Sequence, residues 1–266
     1  MSQSNDLRGR IAGQSAMAAV IEAQSHRAPR GRLARIFGVS PLTDDGKAHY
    51  RGAVGELLVG SILDHLGHSW DVLHGVPLGA SALDHFAVGR AGVFAFVVVN
   101  CQGDEVAINS DELIVAKNFT GGLRDAREAA SLVSTALSGA LGVPVPVTAV
   151  LVVVEPTKVT TVQAPVDVHV LTSMQLEQWL LSAPAVLSGV DVAEISGAAE
   201  ANGTWPHPQP AAYKARHLTR AFVRIHHEVR SATVRRFLWV VAALIATFLS
   251  VWVLVSILTS VVMGSS

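Results

Sequence analysis

The chain has 266 residues and a formal net charge of −1, so its overall charge gives no reason to expect polyanion binding. Its single cysteine, Cys101, excludes an internal disulfide and is compatible with a reducing compartment. Half of the residues are hydrophobic, a high share for a soluble protein, and one segment near the C-terminus explains the excess. The basic residues are mostly arginine, with only four lysines, a composition that hints at a GC-rich bacterial genome.

Residues 1–40 are rich in Ala, Ser, Gln and Arg, and we expect them to form a flexible basic segment. The start of the chain lacks an apolar stretch of signal-peptide length. Ile11–Ala23 has the pattern of a weak helix, and His26–Arg35 forms a basic patch. The sequence leaves two interpretations of that patch open, a solvated tail or a contact with acidic lipid or nucleic acid.

Residues 41–199 have the pattern of one α/β domain. Apolar residues at helical spacing predict a first core helix at Gly46–Gly67. Two further helices are predicted at Leu123–Leu141 and from Ser173 to Leu181. Strands are predicted at Ser69–His74, Ala82–Val88, Val93–Val99, Glu105–Asn109, Leu113–Ala116, Val147–Val154 and Val166–Leu171. This order favours a mixed sheet with helices on its faces.

The continuous apolar run Val93–Val99 predicts a central strand that is buried on both faces. Asp84 lies on the strand before it, and Glu56 lies at the edge of the apolar face of the first core helix. An acid followed by a buried strand is the layout of metal-dependent nucleases of the PD-(D/E)xK type. The histidines near the core lack tight zinc spacing, which argues against a zinc site at His49, His65, His68, His74 and His85.

With these residues in place, the middle of the chain resembles the NERD (nuclease-related) domain family. The resemblance runs from about Tyr50 to Leu187, and its clearest segments are RGAVGELLVGSILDHLG, WDVLHGVPL and LDHFAVGRAGVFAFVVVNCQG. It implies a restriction-endonuclease-like fold. It also implies a site in which a helix acid, the Asp of the DH pair, and an acid-x-Lys motif on the next strand surround a divalent ion. Such a site uses Mg²⁺ to activate water and the lysine as a fixed positive charge.

The sequence departs from the family at the chemistry-bearing positions. The acid-x-Lys positions fall on Val97 and Val99, and the family's Gln on the following helix corresponds to Glu128. We therefore expect a nuclease-like domain that is catalytically inactive and needs no cofactor. The alternative is a divergent nuclease that binds Mg²⁺ through Glu56, Asp84 and Glu128. A third interpretation gives the two core acids a structural role as acceptors of backbone N–H groups.

Residues 200–210 read as a Pro-rich linker, and residues 211–236 as a basic amphipathic juxtamembrane helix. The apolar stripe of this helix either lies on an anionic membrane or packs on the domain. The expected membrane-surface contacts are Arg216, Arg220, Arg224, Arg235 and Arg236.

Residues 237–263 contain no charged side chain and exceed the about 20 residues needed to span a bilayer. Arg235 and Arg236 directly precede this segment, so the positive-inside rule places the N-terminal domain in the cytoplasm. The sequence thus predicts a single-pass protein of the cytoplasmic membrane that acts as a binding or scaffold module. Its expected partners are membrane lipid, possible nucleic acid, and a second copy bound through the transmembrane or juxtamembrane helix.

Overall fold

The computed structural model describes residues 7–25, 30–79, 81–201, 203–205 and 215–264, with side chains given up to residue 255 in the last segment. The helices are α1 (Gln14–Ser25), α2 (Arg32–Ile36), α3 (Asp44–Asp64), α4 (Gly122–Leu141), α5 (Ser173–Ser182), α6 (Gly189–Glu200) and α7 (Ala215–Gly264). The strands are β1 (Trp70–Leu78), β2 (Ser81–Gly89), β3 (Gly92–Asn100), β4 (Glu105–Asn109), β5 (Glu112–Val115), β6 (Asn118–Thr120), β7 (Thr148–Val154), β8 (Lys158–Gln163) and β9 (Val168–Thr172).

The main sheet is mixed, with the strand order β1-β2-β3-β7-β9. β1, β2 and β3 pair antiparallel, whereas β3, β7 and β9 pair parallel. β3 is therefore the central strand, and its apolar sequence follows from burial between helices on both faces. The α/β class and the mixed sheet flanked by helices are confirmed.

Helices α3 and α4 cover opposite faces of this sheet. Val59 and Leu63 of α3 share an apolar cluster with Phe94 and Phe96 of β3. The α4 side chains instead pack with the alternate β3 residues, in a cluster that includes Val93, Ala95, Ala126, Val133 and Leu137. The two faces of β3 thus meet two different helices, because successive side chains on a strand point to opposite sides.

A single sheet was expected, but the structure contains a second one with the strand order β6-β5-β4-β8. The parallel β3–β7 pair turns a corner and continues as the parallel β4–β8 pair. Gln102, Gly103 and Glu155 adopt positive φ at this corner, and Gly103 N–H donates to the carbonyl of Glu155. The valine run gives no hint of the corner, because periodicity reports burial and not the direction of the chain.

The expectation of a flexible segment over residues 1–40 is wrong for much of that range. Helix α1 packs against α3 and α7, and its Met17 and Val20 are fully buried. A weak helix was expected here from residue 11 to residue 23. Its low intrinsic propensity is overridden because α3 and α7 provide an apolar surface for it. The first four residues of the basic patch, 26–29, lie outside the described residues.

Helix α7 is uninterrupted over its 50 residues. In its first part, Leu218 and Phe222 are buried, and Ile225 and Val229 pack against the cluster formed by α1 and α3. Of the two alternatives for this amphipathic helix, packing on the domain is the one observed. The folded unit therefore extends beyond residues 41–199 at both ends.

Two elements were not expected from the sequence. Helix α6 begins at a capping box formed by Ser188 and Asp191, and Ala198 and Ala199 on it are buried. Trp205, in the segment predicted to be a linker, is also buried and donates its indole N–H to the carbonyl of Ala199 at 2.7 Å. The rest of that segment, residue 202 and residues 206–210, lies outside the described residues.

Candidate functional site

Glu56 and Asp84 lie close together between α3, β2 and β3. Gly55 allows α3 to approach β3, since a Cβ at this position would lie 3.0 Å from Asn100 Cβ and 3.2 Å from Val98 Cγ1. The side-chain amide of Asn100 also donates to the carbonyl of Arg51 at 3.0 Å, which ties the end of β3 to α3. The next residue on the helix is Glu56, so its position beside the central strand follows from this close packing.

Asp84 lies where the ladder between β2 and β3 stops. The antiparallel pairing runs from His85 to Gly89 on β2, and the Oδ2 atom of Asp84 accepts the backbone N–H of Val98 at 2.7 Å. The carboxylate thus replaces the carbonyl that would otherwise continue the ladder. This is the contact that a structural role for Asp84 requires.

Burial perturbs both carboxyl groups. Removal from water raises the pKa of Asp84 to about 7, although the hydrogen bond from Val98 favours its charged form. The pKa of Glu56 lies well above its usual range because of burial and the nearby charge of Asp84. Two carboxylates in one half-buried site resist simultaneous ionisation, so the pair retains a proton near neutral pH.

Val97 and Val99, which occupy the acid-x-Lys positions, are half-buried on the α4 side of β3 and pack against its apolar cluster. Val98 lies on the α3 side. A Cβ on Gly122, at the start of α4, would lie 3.1 Å from Val99 Cγ2, so this valine contacts the helix directly. The side chains at these two positions pack against the apolar cluster and offer neither a charge nor a metal ligand.

The structure does not bring Glu128 into the acid pair. Its side chain is exposed on α4, which covers the face of β3 opposite to α3. The five predicted membrane-contact arginines are also exposed, and Arg235 donates to the carbonyl of Arg35 at 2.9 Å.

A histidine pair next to the acid pair was missed. His74 and His85 face each other across β1 and β2, with their Nδ1 atoms 2.8 Å apart. Asp64 Oδ1 lies 3.1 Å from His74 Nε2, while His85 Nε2 is buried and has no hydrogen-bond partner among the described residues. Burial and the neighbouring His74 lower the pKa of His85 well below its usual value, so it is neutral. The hairpin register could have revealed the pair, because both histidines lie at equal distances from the turn.

The residues present do not fit the divalent-metal site that the family resemblance implies. The pair offers two carboxyl groups, and one oxygen of Asp84 is already engaged by Val98. Mg²⁺ prefers several oxygen ligands in octahedral geometry. In the described part of the chain, no group of three or more His, Cys, Asp and Glu side chains is arranged to hold a metal ion.

A mixed sheet with helices on both faces and an acid pair beside its central strand makes this an α/β domain. Comparison with protein families identifies the domain more closely. Residues 51–154, from α3 to the end of β7, match the nuclease-related domain (NERD) family, so the chain carries a NERD domain. No curated protein and no solved structure matches the chain significantly.

Outside this domain, α7 is the one helix in the described ranges that is long and apolar enough to cross a membrane. The most apolar part of this helix is not buried by any other part of the protein. A core helix of a soluble protein would instead be covered on at least one side.

Proposed function

We propose that this protein is a membrane-anchored NERD-domain protein whose domain faces the cytoplasm and acts as a binding or scaffold module without nuclease activity. The observation that supports the proposal is a site that keeps only part of the family's charged residues. Glu56 and Asp84 remain together, while Val97 and Val99 stand at the family's acid-x-Lys positions.

Electrostatics supports the absence of catalysis. A nuclease stabilises the charge that develops on the phosphorus oxygens with a metal ion and a fixed cation. Here, burial raises the pKa of both carboxyl groups, so the pair is not fully charged near neutral pH, and valines occupy the positions of the third acid and the lysine. Removal of one such electrostatic group costs about 10²–10³ in rate in well-studied enzymes, so the combined loss is large. We therefore propose that the domain uses no cofactor.

The anchor is residues 237–263, with Arg235 and Arg236 on the cytoplasmic side. Because α7 is uninterrupted and rises about 1.5 Å per residue, Arg224 lies about 20 Å before the start of the apolar segment. The screening length at physiological salt is about 8 Å. This geometry favours Arg235 and Arg236 as the lipid contacts, and leaves Arg216, Arg220 and Arg224 for another partner, such as nucleic acid or a second copy.

The test is a cleavage assay on the full chain in lipid nanodiscs, with DNA and RNA substrates and either Mg²⁺ or Mn²⁺. The full chain is needed because α1 and α7 cover the outer face of α3. We compare the wild type with a Val97→Glu/Val99→Lys variant. A matched control, Thr160→Glu/Val162→Lys, places the same two charges on the exposed strand β8.

We expect no cleavage by the wild type or by the control. The Val97→Glu/Val99→Lys variant restores the family's residues on the α4 side of β3, and it cleaves only if they reach the acid pair past the end of the β2–β3 ladder. Cleavage by the wild type that is abolished by Asp84→Ala contradicts the proposal.

That outcome would instead support a divergent Mg²⁺-dependent nuclease, which the surviving Glu56–Asp84 pair favours as the second candidate function. Isothermal titration of the wild type with Mg²⁺ separates the two candidates independently, because only a nuclease of this type binds the ion at millimolar concentration.

A further inference from the structure

The segment from Arg30 to Val39 runs along α7 to the start of its apolar part and back; we call it the α2 loop. At the end of the loop that lies farther from the apolar part of α7, Arg30 forms an ion pair with Glu228 at 2.7 Å and donates to the carbonyl of Val39 at 2.8 Å. At the opposite end, beside the start of the apolar part of α7, the carbonyl of Ile36 accepts the indole N–H of Trp239 at 2.9 Å. The loop thus descends along α7 by the 11 residues that separate positions 228 and 239, which is about 16 Å of helix.

The tip of the loop is fixed against α7 by specific contacts. The rings of Phe37 and Trp239 lie 5.0 Å apart, and Arg235 donates to the carbonyl of Arg35. Gly38 has a φ of +69°, and a Cβ there would lie 2.4 Å from the carbonyl oxygen of Ala232. Only glycine fits this approach, so the tip is held at the level where the uncharged segment of α7 begins.

The outer side of the tip is apolar and uncovered. Leu33 is 70 % exposed, and Ile36 and Phe37 are each 51 % exposed. Their spacing of three and four residues places them on one side of the helical turn. Exposed aliphatic and aromatic side chains in a cluster mark a surface that contacts another apolar phase.

Basic side chains surround this apolar tip. Arg32 and Arg35 belong to α2, and Arg235 and Arg236 precede the apolar segment of α7. None of these four guanidinium groups forms an ion pair with another residue in the part of the chain that the structure describes. A cluster of exposed apolar side chains with arginines beside it matches an anionic membrane surface, where acyl chains meet charged headgroups. Trp239 has its indole at the same level, where membrane proteins commonly place tryptophan.

We propose that the α2 loop is a second membrane-contacting element, which inserts Leu33, Ile36 and Phe37 into the cytoplasmic leaflet beside α7 while its arginines bind anionic headgroups. The proposal rests on the membrane anchoring proposed above. Its occupant is the lipid bilayer itself, because the exposed tip is continuous with the apolar part of α7 through Phe37 and Trp239.

The test is depth-dependent fluorescence quenching on the full chain in vesicles of phosphatidylcholine with phosphatidylserine. Single cysteines for an environment-sensitive dye are introduced by Leu33→Cys and, separately, by Phe37→Cys. The Leu33→Cys chain keeps Phe37 and its contact with Trp239. Its dye therefore reports the depth of the tip even if the Phe37→Cys substitution displaces the loop. Cys101 is fully buried, and the parent chain without a new cysteine serves as the labelling blank.

Two matched positions calibrate the experiment. Phe119→Cys places the dye on β6, at a similarly exposed apolar residue of the second sheet. Leu249→Cys places it in the middle of the apolar part of α7. Lipids carry a spin label either near the headgroup or deep in the acyl chain, so quenching reports the depth of each dye.

We expect dyes at positions 33 and 37 to shift to the blue and to lose most of their emission with the shallow spin label. The dye at 249 is quenched by the deep label, and the dye at 119 by neither. Replacement of phosphatidylserine by phosphatidylcholine is expected to reduce quenching at 33 and 37 and to leave 249 unchanged.

Quenching at 249 without quenching at 33 and 37 overturns the second contact and leaves the anchor intact. Absence of quenching at 249 overturns the anchor, and the second contact with it. If the dyes at 33 and 37 stay unquenched while Phe37→Cys chains cross-link to each other, the tip binds a second copy instead of lipid.

Discussion

The acid pair of the NERD domain and the second half of α7 depart in opposite ways from the usual distribution of polar and apolar groups. The domain partly buries Glu56 and Asp84, whose charges are costly to remove from water. The helix exposes apolar side chains around its whole circumference, from Phe237 to Val255. A half-buried carboxyl group retained within a folded core is typical of a binding or catalytic site, whereas uncovered apolar surface is typical of a contact with a membrane or another protein.

The first half of α7 follows the usual distribution, and its core residues set the largest expected effect. Phe222→Ala removes a buried ring that stacks on Tyr50 with 5.6 Å between ring centroids. We expect the free energy of unfolding to fall by about 3–5 kcal/mol. Val223→Ala is the control, because Val223 is exposed and its truncation changes the free energy by less than about 0.5 kcal/mol. Denaturant unfolding in detergent measures both, and equal losses would show that α7 does not pack on the domain.

In the second half of α7, a charge is expected to impair membrane insertion without unfolding the domain. Leu249→Arg places a cation near the middle of the apolar segment, at a cost of about 2.5–3.5 kcal/mol on insertion scales. Leu238→Arg is the control, since an arginine at the end of a span reaches the interface. Alkaline extraction of membranes should release the Leu249→Arg chain and retain the Leu238→Arg chain. Retention of both would contradict a membrane span.

The acid pair makes stability depend on pH. The folded-state pKa of Asp84, about 7, lies above its value in an unfolded chain, so the folded protein binds this proton more tightly. Stability therefore decreases as the pH rises from about 4 towards 7. Asp84→Asn removes the charge and keeps an acceptor for the N–H of Val98.

We expect Asp84→Asn to stabilise the fold by on the order of 2 kcal/mol at pH 8, and to have little effect near pH 4. Glu128→Gln, at an exposed position in the middle of α4, should change stability little at either pH. Denaturant titrations at the two pH values provide the measurement. A destabilised Asp84→Asn chain at pH 8 would show that Asp84 is charged and fully compensated in the folded state.

The smallest expected effect concerns the α2 loop, which contacts α7 at the start of its apolar part. Gly38→Ala forces the loop away from Ala232, and we expect a loss of about 1 kcal/mol because the loop can move without unfolding the domain. Gly139→Ala, at an exposed position within α4, has open space around the new Cβ and should not lower the free energy of unfolding. The emission of Trp239 is obtained by subtracting the fluorescence spectrum of a Trp239→Phe chain, and a shift of its maximum reports that the loop has moved. An unchanged maximum in Gly38→Ala would contradict the close approach.

The sequence predicted much of the fold, because long periodic segments report burial directly. The helix at 46–67 and the buried strands at 93–99 and 147–154 correspond to α3, β3 and β7. The corner after β3 was not predictable, since it depends on positive φ at Gln102 and Glu155, residues with no strong preference for that conformation.

The candidate site was only partly predictable. Glu56 and Asp84 were expected together, and their charges interact in the structure. Glu128 was proposed from a family position, but helix periodicity alone did not show that α4 would place it on the surface. The pairing of His74 with His85 depends on strand register, which a hairpin turn fixes but a linear motif does not express.

The continuity of α7 has a mechanical consequence for any partner of this domain. A flexible linker would let the domain sample a broad volume above the membrane. An uninterrupted helix that packs on the domain with its first part and, as proposed, spans the membrane with its second part removes that freedom. Partners would then meet the domain at one height and in one orientation, so a geometric match between surfaces would select them, rather than the reach of a tether.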